Sequence, residues 1–239
     1  MTPNAAKKAT ALLAASLAFA APALAGDRAQ FDPIGFSTDG RYFAFEEFGI
    51  QDGSGFPFAN IYVLDLPADK WAGTPVRIRD DNDGARLSDV RAEAATKAAG
   101  VLQQNDITFP AMFLALNADG EPDAAAYSLR YGQPGYGLGP TQDEHLLEIE
   151  TFDLPSGEDC SIIDNETKGF ALKVDGTELQ RDSGKLPKTR GCPMDYRVYA
   201  VLAPADIDSN SAPNVAIISV YPFGFEGPDR RFIAVPLGN

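Results

Sequence analysis

Apolar and polar side chains alternate along short runs broken by Gly, Asp and Pro, the two-residue period of β-strands rather than the 3.6-residue period of helices. The signals are densest in Phe36–Leu66. Thr38-Asp39-Gly40 marks a turn, because Gly accepts positive φ and Asp hydrogen-bonds the backbone that follows. Arg41–Glu47 then alternates, with Phe43 and Phe45 on one face and Tyr42, Ala44 and Glu46 on the other. Three glycines and a proline in Gly49–Pro57 predict a loop, and Ile61–Leu64 predicts a second strand, antiparallel to the first.

Further strands are predicted at Val76–Arg79, Met112–Leu116, Ala125–Tyr131, His145–Leu154, Gly169–Val174, Arg197–Leu202, Val215–Tyr221 and Arg231–Pro236. Asp175-Gly176 reads as a tight hairpin turn. A single helix is predicted over Asp89–Gln104, capped by Ser88, with Leu87, Val90, Ala94, Ala98, Val101 and Leu102 forming its apolar stripe. The small residues of that stripe predict close packing on a sheet. The class is mainly β: antiparallel sheets arranged as a sandwich, a barrel or a propeller-like body, with one covering helix. Turn, strand, Gly-rich loop, strand and Asp-Leu-Pro occur in that order twice, ending at Pro67 and Pro155. The apolar positions between these markers do not align, so the echo is read as common turn chemistry.

The first residues change the picture. Lys7 and Lys8 precede the apolar run Ala9–Ala21, and Ala23-Leu24-Ala25 supplies small residues where a leader peptidase cuts. A signal peptide over residues 1–25, cut between Ala25 and Gly26, is expected to leave one mainly-β domain at 26–239. The apolar run is shorter than the roughly 20 residues a membrane span needs. No later segment qualifies, no twin arginine precedes the run, and no Cys follows the cut to carry a lipid. A soluble protein of the periplasm or the exterior is expected.

Charge and cysteines agree with export. The formal net charge of −14 argues against nucleic acid or an anionic membrane surface as partner. A cationic partner or a metal is compatible with it, as is solubility alone. Cys160 and Cys192 are the only two cysteines, and an even count in an oxidising compartment predicts a disulfide, contributing roughly 3–4 kcal/mol. They lack the Cys-x-x-Cys spacing of a redox pair.

Candidate chemistry is thin. His145 is the only histidine, and no Gly-x-Ser-x-Gly elbow accompanies it, so it reads as a residue at the rim of a strand. Glu46 and Glu47 are adjacent on a strand, point to opposite faces, and form no acid–base pair by themselves. The acidic turn Asp80–Gly84 fails the EF-hand template, because Arg79 and Val90 would fall where Asp and Glu are required. An irregular calcium site using Asp81 and Asp83 stays open beside a solvated turn; no other cofactor is expected. The Gly-rich segments carry aromatics: Phe48, Phe56 and Phe58, then Tyr131 and Tyr136, then Tyr221, Phe223 and Phe225. They either form a binding face, centred on Phe48, Phe56, Phe58, Tyr136, Phe223 and Phe225, or fold back as lids on the β core.

Two resemblances add to this reading. FSTDGRYFAFEE…IYVLDL resembles a single blade of Tol-type β-propellers over about thirty residues, in a chain too short for six blades of roughly 40 residues each. The whole mature chain resembles a bacterial family of predicted secreted proteins known only as a domain of unknown function. The residues that carry this likeness are IGFSTDGRYFAFEEFGIQDGSGFPFANIYVLDL at Ile34–Leu66, KGFALKV at Lys168–Val174 and RGCPMDYRV at Arg190–Val198. It implies export and brings no catalytic residues. Two functions are therefore weighed: a non-enzymatic binding module for an envelope protein or small ligand, and a carboxylate-based, calcium-dependent hydrolase of envelope material. The missing catalytic set favours the first.

Overall fold

The computed structural model describes residues 26–155, 160, 167–205 and 213–238, so the leader predicted at 1–25 lies outside the described residues. Strand β2 (Tyr42–Ile50) pairs with β3 (Pro57–Asp65) over its whole length, from Tyr42 opposite Asp65 to Ile50 opposite Pro57. Around this hairpin a first sheet runs in the order β4-β3-β2-β1-β6, with β5 beside the other half of β3. Its remaining strands are β1 (Gln30–Ser37), β4 (Lys70–Trp71), β5 (Val76–Arg79) and β6 (Ile107–Phe109). A middle sheet runs β14-β13-β12-β7, from β7 (Ala111–Leu116), β12 (Pro193–Pro204), β13 (Val215–Pro222) and β14 (Arg231–Pro236). An outer sheet runs β11-β10-β9-β8, from β8 (Ser128–Gln133), β9 (Gln142–Leu154), β10 (Thr167–Val174) and β11 (Thr177–Arg181). All the strand ladders are antiparallel.

Three apolar clusters stack these elements into four layers. Val90, Ala94 and Ala98 of helix α1 (Leu87–Gln104) pack on Ala59, Ile61 and Ile78 of the first sheet. The opposite face of that sheet, with Phe36, Phe43, Phe45 and Tyr62, meets Leu202, Ile217 and Phe232 of the middle sheet. The far face of the middle sheet, with Tyr196, Val198, Ile218 and Val220, meets Leu147, Ile149, Phe170 and Leu172 of the outer sheet. A bulge in β12 between Val198 and Ala200 lets Val198 and Val201 face outward while Ala200 and Leu202 face inward. No sheet closes into a barrel among the described residues, so the sandwich is the arrangement found.

The predicted strands are present, most of them longer than the alternation indicated; the one expected at Ala125–Tyr131 is shifted, starting only at Ser128 and running to Gln133. The helix starts at Leu87 with Arg86 at its N-cap position and no side-chain cap, so Ser88 lies within the first turn. Arg86 instead holds Asp89 through Nε and a terminal nitrogen at 2.9 and 3.0 Å. Asp175 and Gly176 both take positive φ, 50° and 78°, as the predicted hairpin turn requires. Cys160 and Cys192 are bonded to each other.

Candidate functional site

The two adjacent glutamates of β2 lead to opposite faces, as their spacing dictates. Glu46 faces α1, where Arg91 grips it through Nε at 3.1 Å and a terminal nitrogen at 2.6 Å. The same guanidinium reaches Asp32 at 2.7 Å and lies 3.8 Å from the Phe48 ring centre. Glu47 points between the first and middle sheets and is 2% exposed. It accepts hydrogen bonds from the Tyr62 hydroxyl at 2.8 Å, the Asn60 amide at 3.0 Å and the Phe232 N–H at 3.0 Å. With both oxygens engaged, Glu47 is a clamp between β2, β3 and β14.

Beside this clamp a cleft of about 180 Å³ opens between the edges of the first and middle sheets. The Tyr62 and Trp71 rings, centres 5.0 Å apart, make one wall. Burial, then the adjoining Glu47 carboxylate, pushes the Tyr62 hydroxyl far above the usual phenol range. Three guanidiniums line the rest: Arg77, Arg190 and Arg231. Arg190 is held by Asp182 at 2.6 Å and Arg231 by Asp27 at 3.0 Å. Arg77 lies 5.8 Å from the Tyr62 ring centre and pairs with no carboxylate among the described residues. The cleft therefore offers an aromatic wall, a saturated carboxylate floor and one cation that no carboxylate among the described residues pairs.

Residues 44–237 match the model of a family described as predicted secreted protein (DUF2259). This chain belongs to that family. The match takes in all the strands from β3 to β14 and every cleft residue from Glu47 to Ile233. No curated protein and no solved structure matches the chain.

The aromatics singled out from the sequence of this family member are distributed unevenly. Phe48 and Phe58 are not loop residues: pairing of β2 with β3 out to Ile50 and Pro57 shortens the loop to residues 51–56. Phe58 is buried beneath Arg231, and Phe48 is half-buried beneath Arg91. Phe56 stays in the loop and is half-buried. Tyr136, 86% exposed, tops the β8–β9 hairpin of the outer sheet. Phe223 and the 98% exposed Phe225 top the β13–β14 hairpin of the middle sheet. Phe225 lines, with Asp52 and Gly53 of the 51–56 loop, a second cavity of about 300 Å³.

The other candidates are committed elsewhere. Asp81 forms a two-pronged pair with Arg79 at 2.6 and 2.8 Å, and Asp83 lies exposed beside Gly84. No group of three or more His, Cys, Asp or Glu able to hold a metal occurs among the described residues. His145 lies in β9 with Nδ1 2.7 Å from Asp175, a carboxylate of the hairpin turn. The cleft itself was not legible in the sequence: Trp71 sits in a two-residue strand, and Glu47 meets Phe232 across 185 positions. The one available signal was Val76–Arg79, whose alternation sends Ile78 inward and leaves Arg77 and Arg79 outward.

Proposed function

We propose that this protein is an exported, non-enzymatic binding protein that holds a small anionic ligand in the cleft between its first and middle sheets. The family description supports export. The observation that carries the ligand class is Arg77, a guanidinium without a carboxylate partner among the described residues, set against the Trp71–Tyr62 wall. A planar guanidinium takes a carboxylate through two parallel hydrogen bonds, and an aromatic face takes the apolar side of a sugar or a short acid. Glu46 and Glu47, the carboxylates a hydrolase would have drawn on, are engaged by Arg91 and by the β14 clamp.

Trp71 is the only tryptophan and stands in the cleft wall, so its fluorescence reports occupancy directly. Titration with acetate, citrate and galacturonate is expected to give a saturable change with at least one of them. Arg77→Ala should weaken that binding at least tenfold. The reading fails if none of the three gives a saturable change or raises the melting temperature. A second reading, for an envelope protein docking on the β13–β14 tip, is favoured by the exposure of Phe225 and Phe223. Phe225→Ala would abolish co-purification of such a partner and leave the Trp71 titration unchanged.

A further inference from the structure

Gly26, the residue that follows the expected cut, lies at the second cavity. Gly26, Asp27, Asp52, Phe225, Glu226 and Asp229 are among the residues that line it. Residues 26–29 are pinned there along the start of β14. The Asp27 N–H donates to Asp229 Oδ1 at 2.9 Å, the Arg230 N–H donates to the Asp27 carbonyl at 2.7 Å, and the Ala29 N–H donates to the Arg230 carbonyl at 3.3 Å. The Asp27 carboxylate accepts from the Asp52 N–H at 2.7 Å and from Arg231 at 3.0 Å. Gly26 is wedged against the 227–228 backbone: a Cβ on it would fall 2.5 Å from the Pro228 carbonyl oxygen and 3.1 Å from that of Gly227. Its place is thus fixed by backbone contacts, whatever the charges nearby.

The charges around it do not balance. Acidic residues line the cavity from three segments: Asp27 beside Gly26, Asp52 from the β2–β3 loop, and Glu226 and Asp229 from the β13–β14 loop. Arg231 serves Asp27 at 3.0 Å and Asp229 at 3.7 Å. Arg230 and Arg28 are turned to Asp119. Asp52 and Glu226 have no cationic partner among the described residues. Burial raises the Asp229 carboxyl above its usual range, against the lowering effect of the Asp27 N–H and of Arg231.

We propose that the absent cation is the chain's own: hydrolysis of the Ala25–Gly26 bond makes Gly26 the first residue, and its α-ammonium seats against Asp229 and Asp52 in this cavity. Water is the co-reactant; the new carboxylate leaves with the leader, and the amine stays on Gly26 and takes up a proton, since an α-amino group ordinarily titrates near pH ~8. The inference rests on the export reading and adds to it that processing completes the fold. An uncut chain presents a neutral amide where the mature one presents a positive charge. Glycine is required because the Pro228 and Gly227 carbonyls leave no room for a side chain. The carboxylates raise the folded-state value of the amine, so the stabilisation is present below about pH 8 and is lost as pH rises through that raised value.

The test starts from protein taken from the exported fraction of its own cell. Its first residue is sequenced, and its α-amine is acetylated with acetic anhydride between pH 6 and pH 11, natively and in urea, with the N-terminal peptide read by mass spectrometry. The expected first residue is Gly26. The native amine should react with a midpoint about one pH unit or more above that of the unfolded chain, and Asp229→Asn should narrow that gap. Coincident midpoints would overturn the proposal. So would an exported chain starting elsewhere, which leaves export itself intact; absence from the exported fraction would overturn both.

Discussion

Truncating Glu47 would strip the only acceptor seen among the described residues for the Tyr62 hydroxyl, the Asn60 amide and the Phe232 N–H. Each unsatisfied buried group costs about 1–3 kcal/mol, so Glu47→Ala is expected to lower stability by about 3–5 kcal/mol and Glu47→Gln by less. Urea unfolding checks this, and a loss under 1 kcal/mol for the alanine variant would show that the clamp contributes little. Alkaline pH addresses the same site. Tyr62 is raised, and Tyr196 is pushed up to about 12, in both cases chiefly by burial. Both phenols remain neutral in the fold after the unfolded chain has begun to ionise near pH ~10, so their stability is intact below that pH and falls above it. The expected slope is about 1.4 kcal/mol per pH unit per tyrosine, and Tyr62→Phe should flatten it. At this scale the sequence showed direction but not partner. The period of two sent Glu46 and Glu47 to opposite faces, yet Arg91 lies 45 positions from Glu46 and no local pattern could name it.

Elements were legible where one face or stripe was distinct from the rest. The stripe of α1 marked Val90, Ala94 and Ala98 as its packed side. Ser88 misled because it is a good capping residue that the chain does not use; Arg86 takes the boundary by pairing with Asp89. Strand β1 was missed because Pro33 and Gly35 flank an irregularity in its pairing, and Gly35, at φ 148°, passes so near β6 that a Cβ would lie 2.3 Å from the Phe109 carbonyl oxygen. Strand β11, Thr-Glu-Leu-Gln-Arg, is polar because it is an exposed edge, held by Arg181–Glu178 and its pairing with β10. Two predictions belong here. Ala94→Leu, at a fully buried position against the first sheet, should destabilise by about 1–3 kcal/mol through overpacking, read as a lower urea midpoint. Reduction of Cys160–Cys192, which are 32 positions apart, should cost about 3–4 kcal/mol, read as a lower melting temperature in dithiothreitol.

The layering of the whole molecule was not legible from the sequence, for a reason visible in β13. Val215–Pro222 lies in a sheet covered on both faces, so its interior residues are almost all apolar and alternation vanishes. A continuous apolar strand says that it is buried, but not between which neighbours. Mainly-β character could be read from turns and periods; the choice of sandwich over barrel or propeller required pairings such as β7 with β12, over 80 residues apart in the chain.

The composition of the middle sheet would also bear on the export of such a chain. Three of its four strands lie in the last part of the sequence, from Pro193 onward. Both large apolar clusters need them. A polypeptide threaded with its N-terminus leading would deliver those strands last, so until then the first sheet has only α1 against it and the outer sheet has no partner layer. Completion of the shape would then coincide with release on the far side, and a chain cut short before Val215 should emerge as prey for proteases rather than as a smaller version of the protein.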